Sequence, residues 1–480
     1  MSIKQVNFTI LSNSLGAIPP GGGETIAVVG VSSSGTANQA VQSSNPSDFV
    51  TADGYGPAPQ AASFITQHGG NDVILVKAAT VVAGANSAVT HTGTGASAMT
   101  LTGTPLDTYY LVVEVVTGGT VGVAGCVLTV SLDAGRTVYT TVTLGTATTY
   151  LVPNTGITLN FTAASLVAGD TYTAVCTEPK WSTGTLISAM DGLLASGLSF
   201  KNVLITGDVD ASEAASVKTE MTTYFNKKRF NRVFCNARDV DDGGTASETE
   251  AQWITALVAD FAGFDGDRLS VAGGFYNIIS PLSQTQFRRP ISWAAAAIDS
   301  TTDIGQDISA VALGSLPMVA KPTSPDGFVY YDAQSNSALD TARFLTGQLI
   351  YGLPGWYMTN SNLMAAAGSD FSILPYGEVV DQTCRTSYLF FTQFLGGSVR
   401  VSATTGYILA ADANDIDSRC TALLQTVLGT GVSSVRCVVT RNSNILSTKT
   451  LTATISIVPL GYINAVNVTI TFVNPALVAV

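Results

Sequence analysis

The chain has 480 residues, enough for roughly three ordinary domains and a core that needs no disulfide or structural metal. Only 12% of residues are charged, against about 25% in an average soluble protein, while 46% are apolar and 46 are glycine. With 34 acidic and 22 basic residues the net charge is −12, which argues against nucleic acid and against anionic membranes as partners.

The mean hydropathy is +0.32, but no uncharged apolar stretch approaches the ~20 residues of a bilayer helix. Met1 to Leu15 lacks the block of a signal peptide, so the expectation is a protein folded in the cytosol with no membrane element. Sparse charge suits a chain that covers its surface with identical neighbours. A Thr- and Gly-rich globular protein explains the composition equally well.

Taken in order, Gln5, Val6, Phe8 and Ile10 lie in an alternating segment with Val6, Phe8 and Ile10 on one face, a half-buried strand. A tether, Pro19-Pro20-Gly21-Gly22-Gly23, follows it. Ile26 to Val31 and Val73 to Ala78 are continuous apolar runs of doubly buried strands, with a helix between them over 59–67. From about 80 to 180 the chain is dense in Thr, Val and Gly and shows no helical periodicity. Short alternating runs predict strands at Tyr109 to Val116, Cys126 to Leu132, Val138 to Leu144, Gly156 to Phe161 and Thr171 to Cys176. After Pro179 helices are expected over 186–194, 211–228 (capped near Asp210 or Ser212) and 248–261. They alternate with strands at Val203, Arg232 and Leu269. Further helices are expected over 339–350 and 415–428. Two strands close the chain, Thr452 to Val458 and the alternating Val466, Val468, Ile470 and Phe472. The tail Ala476 to Val480 is apolar and needs a partner.

Candidate chemistry is sparse. Six cysteines lack metal or redox spacing and read as small buried hydrophobes. His68 reads as a cation at a helix C-terminus, and His91 as a residue of a polar loop. Gly30 to Thr36 has the frame of a phosphate loop but no lysine after Gly35. Ser131 to Thr137 resembles the Asp-box, a structural hairpin turn without catalytic function. Acidic runs at 208–210, 239–242 and 412–417 suit helix caps and solvated loops better than cation sites. Arg288-Arg289-Pro290 suits a salt bridge or an interface.

The order from Ile26 through Gly35, Gly54-Tyr55-Gly56 and Gly70 to Lys77 resembles the N-terminal part of contractile phage tail sheath proteins. Ser369-Asp370-Phe371, Thr405 to Ile408, the helix after Asp412, Asn444-Ile445-Leu446 and the strands ending at Phe472 resemble their C-terminal domain. The likeness covers about half of the chain, in its first eighty and last hundred and forty residues. It rests on patterns of strands and glycines, with no diagnostic chemical motif.

The residue patterns give a mixed α/β (α+β) fold with doubly wound α/β parts and an inserted all-β domain, and the resemblance implies that these are sheath domains whose N- and C-terminal strands are exchanged between subunits. The expected segments are an arm over 1–23, a first core part over 24–80, an outward-facing β insertion over 81–180, an α/β domain over 181–335, and a C-terminal domain over 336–480. The donated strands would carry Gln5, Val6, Phe8 and Ile10 at one end. Val466, Val468, Ile470, Phe472, Leu477, Val478 and Val480 would serve at the other, and Arg419 is a candidate to face the tube. Implied partners are further copies of the chain in stacked rings or a helical tube, the tail tube protein, and baseplate and tail terminator proteins. Implied too are no enzymatic activity, no metal, no cofactor, and a place in the virion tail after assembly in the host cytoplasm. A phage-derived bacteriocin sheath, a glycan-binding or glycan-cleaving tail enzyme and a surface-layer subunit are the alternatives.

Overall fold

A computed structural model of the chain describes residues 25–69, 71–123, 125–240, 248–319 and 328–470. The chain is mixed α and β and divides into two compact units, residues 1–398 and 399–480.

The first unit is built on a six-stranded sheet. Its spatial order is Leu269–Ala272, Val233–Asn236, Val203–Asp208, Ile26–Gly30, Val73–Lys77 and Ala40–Ser43. Five strands are parallel, and Ala40–Ser43 closes one edge antiparallel to Val73–Lys77. The continuous apolar runs are explained by burial on both faces. Ala27, Val29, Val203 and Ile205 point into one layer with Leu186, Met190, Val217, Met221, Trp253 and Leu257. Ile26, Val28 and Leu204 point into the other, against Ala61, Phe64, Ile291 and Trp293.

Three helices of the first layer begin with reciprocal capping boxes. Ser182 and Thr185 open Thr183–Ala195, Asp210 and Glu213 open Ala211–Asn226, and Thr249 and Gln252 open Glu250–Asp260. Each cap satisfies helix N–H groups that have no intrahelical acceptor, worth about 1 kcal/mol apiece. Asp210 is therefore a cap, as its sequence position predicts. At Gly30 the first strand meets its neighbour closely: a Cβ there would lie 1.8 Å from Thr206 Oγ1.

From Thr80–Val82 to Lys180–Trp181 the elements are strands. One sheet runs through Thr140–Thr143, Val127–Ser131, Tyr109–Thr117 and Thr171–Thr177, and a second joins Thr149–Leu151, Thr158–Phe161 and Met99–Thr102. Alternation builds their shared core: Tyr109, Leu111, Val113, Val115, Tyr172 and Cys176 point inward. The Asp-box segment is a turn. Asp133 accepts from Thr137 N–H at 2.9 Å and from the Ser131 hydroxyl at 2.7 Å, with Ala134 and Gly135 both at positive φ.

Several elements depart from the sequence expectation. The helix expected over 339–350 is one turn, Ala338–Thr341, followed by the strand Gly347–Leu349 paired with Trp356–Met358. Arg343 at φ 73° ends the helix, and Leu345 N–H then donates to Val271 O at 2.8 Å. Pairing with the sheet edge outweighs helix propagation there. Two long helices carry no sequence prediction, Ile291–Asp299 and Leu374–Thr392, nor does the hairpin Phe275–Ile279 with Gln286–Pro290.

The second unit has its own logic. Helix Ala410–Leu428 lies on a two-stranded antiparallel sheet of Val432–Val439 and Ala453–Pro459. Val435, Cys437 and Val439 are buried, as are Ala413, Ile416, Cys420 and Leu424 of the helix. Residues 461–470 form no strand. The expected pairing of the last two segments is thus replaced by pairing of Ala453–Pro459 with the upstream Val432–Val439.

Candidate assembly surface

A two-stranded sheet is marginal alone and leaves two edges exposed. In an antiparallel pair, residues opposite each other alternate between exchanging hydrogen bonds and pointing their N–H groups outward. Cys437 N–H donates to Thr421 Oγ1 at 3.0 Å and Val439 N–H to Asp417 Oδ1 at 2.6 Å. Two side chains of the helix therefore occupy the outward donors of the Val432–Val439 edge. Arg441 donates to Asp417 Oδ2 at 2.7 Å and holds that carboxylate in place. The opposite residues, Ile455 across from Cys437 and Ala453 across from Val439, share the outward orientation on the other strand. Among the described residues no strand pairs with that side, so Ala453–Pro459 is the open edge.

Beyond it runs the expected donor segment. Ile463, Val466, Val468 and Ile470 are 81%, 76%, 74% and 84% exposed. Three of these four large apolar side chains, Val466, Val468 and Ile470, are at strand spacing, and all are uncovered by their own chain, a patch of the kind that marks an interaction site. Of the other candidate strand residues, Gln5, Val6, Phe8, Ile10, Phe472, Leu477, Val478 and Val480 lie outside the described residues. Arg419 sits on the helix surface, half exposed, with Asp415 one turn away at 3.4 Å.

The groups that could have carried chemistry are engaged otherwise. His68 packs on Phe64, ring centroids 4.6 Å apart, and burial pulls its pKa down, against the charge expected at this helix end. His91 lies on the short strand Thr90–Thr92, not in a loop. Its ring stacks on Tyr172 at 4.4 Å, and its Nε2 is 3.6 Å from Asp170. Burial pushes the thiols of Cys176 and Cys420 up to about 12, the opposite of what a nucleophile needs. After Gly35 the chain enters the strand Ala40–Ser43 and not a helix, unlike a phosphate loop. Among the described residues no group of three or more His, Cys, Asp or Glu is placed to hold a metal ion, and no helix is long and apolar enough to cross a membrane.

Two buried ionic clusters brace the first unit. Arg288 pairs with Asp239, and Arg289 Nη2 lies 2.6 Å from Asp107 Oδ2 at the base of the β insertion. The Arg-Arg knot is thus a salt-bridge feature. At the amino ends of the parallel strands, Lys201 Nζ is 2.7 Å from Asp299 and 3.4 Å from Glu378. Asp381 takes Arg232 and Arg268, each at 3.0 Å. Glu378 and Asp381 belong to Leu374–Thr392, so ion pairs seat that helix on the sheet. Gly377 makes room for it: a Cβ there would lie 2.0 Å from Arg232 Cζ. Burial, with the Asp299 charge, pushes Glu378 up to about 8 against the pull of Lys201. Burial opposes the charge on Lys201, yet Asp299 and Glu378 together hold its pKa above the ordinary value.

A family model described as DUF2586, N-terminal domain, matches residues 3–362. The chain belongs to the DUF2586 family. No curated protein matches this DUF2586 chain. Solved structures similar to it include the following three. The sheath tail protein of Desulfitobacterium hafniense is 12% identical, with 95% of this chain and 100% of that one covered and a TM-score of 0.46. The sheath tail protein Lin1278 of Listeria innocua is 11% identical, with 91% and 95% covered and a TM-score of 0.43. A chain of the anti-feeding prophage baseplate in its contracted state is 10% identical, with 98% of each covered and a TM-score of 0.49.

Proposed function

We propose that this DUF2586 chain is the repeating subunit of a contractile sheath, of a phage tail or of a related injection machine, and has no catalytic activity. The observation that carries the reading is the uncovered alternation of Val466, Val468 and Ile470 beside a two-stranded sheet with one open edge. Strand addition suits such a pair: main-chain hydrogen bonds provide affinity, and alternate side chains set the register. The Gln5 to Ile10 arm, with Val6 and Phe8, and the segment running through Phe472 to Leu477, Val478 and Val480 would be the donors. Each copy would give strands to neighbours and receive theirs. Head-to-tail contacts of this kind generate open helical polymers.

Contraction is then a rearrangement of rigid subunits that stay joined by donated strands. The extended lattice is a kinetic trap, and the contracted one buries more surface between subunits. A small gain per subunit, summed over many rings, drives the inner tube through an envelope. The tube protein, the baseplate and the tail terminator would be the other partners, with Arg419 toward the tube and the β insertion outward. The sparse charge of the chain fits a surface covered by copies of itself.

Negative-stain electron microscopy across a concentration series, with and without the tube protein, tests this. The full chain should form hollow tubes or stacked rings of uniform diameter. A chain ending at Gly461 should stay monomeric with unchanged circular dichroism. Normal tubes from the shortened chain would overturn strand donation. A full chain that stays monomeric even with the tube protein would overturn the sheath role.

A further inference from the structure

Lys201, Asp299 and Glu378 come from three separate parts of the chain and meet inside the first unit, 4%, 0% and 6% exposed. Lys201 stands just before Val203–Asp208, Asp299 ends Ile291–Asp299, and Glu378 lies in Leu374–Thr392. Lys201 Nζ donates to the carbonyl oxygens of Asp299 and Thr302, at 2.9 and 3.1 Å. An ammonium group has three protons, so these two bonds leave one position of the nitrogen over. The other polar atoms against it are Asp299 Oδ1 at 2.7 Å and Glu378 Oε2 at 3.4 Å. Asp299 Oδ1, though this close, accepts no hydrogen bond. Asn202 Nδ2 donates to the second oxygen of each acid, Asp299 Oδ2 at 2.8 Å and Glu378 Oε1 at 2.7 Å, and so fixes both carboxyl groups beside the amine.

We infer that the chain joins itself here, by an amide bond between Lys201 Nζ and Asp299 Cγ. A nucleophile and a carboxyl group held in contact react far more readily than the same groups free in solution. The product also removes a cost: a buried ion pair keeps its desolvation penalty, whereas an amide carries no charge. Glu378 supplies the acid. Burial, with the Asp299 charge, pushes its pKa up to about 8, so it holds a proton at neutral pH.

The atoms balance without any co-reactant. The Lys201 ammonium passes a proton to the Asp299 carboxylate, and the freed amine attacks Cγ. Glu378 gives its proton to the departing hydroxyl and recovers one from the nitrogen. One C–N bond forms, one C–O bond breaks, one water leaves, and nothing is oxidised or reduced. A cavity of about 10 Å³ bordered by Lys201, Asn202 and Glu378 is close to the size of that water. Asp299 and Glu378 favour the charged form of Lys201, so closure is a slow, single event and not turnover. The bond ties the entry of Val203–Asp208 to the end of Ile291–Asp299 and encloses Val233–Asn236 and Leu269–Ala272 in one covalent loop. It does not depend on the sheath reading. Protein of full sequence mass keeps the ion pair, and the stability of that pair is read on this form.

Intact mass spectrometry of the purified full chain, followed during incubation at neutral pH, tests the bond. A species lighter than the sequence mass by one water should accumulate in the folded chain and not in urea. Trypsin cannot cut after an acylated lysine, so digestion should yield one branched peptide joining Lys201 to Asp299. Glu378→Gln keeps the amine and the carboxyl but cannot donate the proton, and should slow closure about a hundredfold. Circular dichroism checks its fold, and the branched peptide of the parent decides alone if that variant does not fold. Full sequence mass after prolonged incubation overturns the inference. So does a loss of water that maps to an Asp-Gly pair such as Asp53-Gly54, which marks a succinimide instead. Closure at the parent's rate in folded Glu378→Gln overturns the role of Glu378.

Discussion

Asp417, on the helix of the terminal unit, accepts a 2.6 Å hydrogen bond from the backbone N–H of Val439 and so blocks one edge of a two-stranded sheet. Thr421 does the same one helical turn later for Cys437. A sheet edge invites any free strand, and this unit closes one edge while leaving the other open. The direction in which a strand can be added is set by two helix side chains.

Proline at position 455 should therefore separate folding from assembly. Ile455 points its N–H outward, away from Val432–Val439, so Ile455→Pro removes a donor that the unit itself does not use. The expected outcome is a folded chain, with a circular dichroism spectrum like the parent's, that forms no tubes under the microscope. Arg436→Pro, on the other strand and in the hydrogen-bonded register, should instead disrupt the sheet itself.

The ionic floor under the parallel sheet should be costly to break from one side. Lys201→Met leaves Asp299 and Glu378 buried without their cation. A loss of about 3–5 kcal/mol is expected, read from urea unfolding of the folded chain.

The same cluster predicts a pH dependence. Glu378 stands at about 8 in the folded chain against an ordinary 4.5, so the folded state binds the proton more tightly. Its contribution to stability is full below about 4.5 and is lost as the pH rises through about 8. Urea midpoints between pH 5 and 9 should fall for the parent and flatten for Glu378→Gln. A parent curve as flat as the variant's would remove the raised Glu378 pKa from the account.

Arg289 ties the β insertion to the core. Its guanidinium reaches Asp107 at 2.6 Å and Gln60 at 2.8 Å, and all three residues are buried. Arg289→Leu should cost about 3–5 kcal/mol and should raise cleavage within 80–180 in limited proteolysis. Asp133→Ala, which removes the acceptor of the Asp-box turn, should cost about 1–3 kcal/mol and leave the junction protected.

Elements whose side chains follow one period and face one environment were legible from the amino-acid order alone. Ile26–Gly30, Val73–Lys77 and Val203–Asp208 read as doubly buried strands because apolar residues fill both faces. The strands of 80–180 read from alternation, and Asp210 from its place before a helix. The exposed Val466, Val468 and Ile470 were legible too, as a strand pattern, but not their lack of a partner within the chain.

Elements held by long-range polar contacts emerged only once the chain was folded. Leu374–Thr392 carries no sequence prediction because its buried face mixes Leu374, Val379 and Phe390 with Glu378 and Asp381, whose partners Lys201, Arg232 and Arg268 come from the segments that lead into three strands. The stretch after Leu339 has helical spacing, yet its backbone pairs with a sheet edge distant in sequence. Hydrophobic periodicity is a local signal, whereas the pairing of buried charges and the closing of sheet edges depend on which segments the fold brings together.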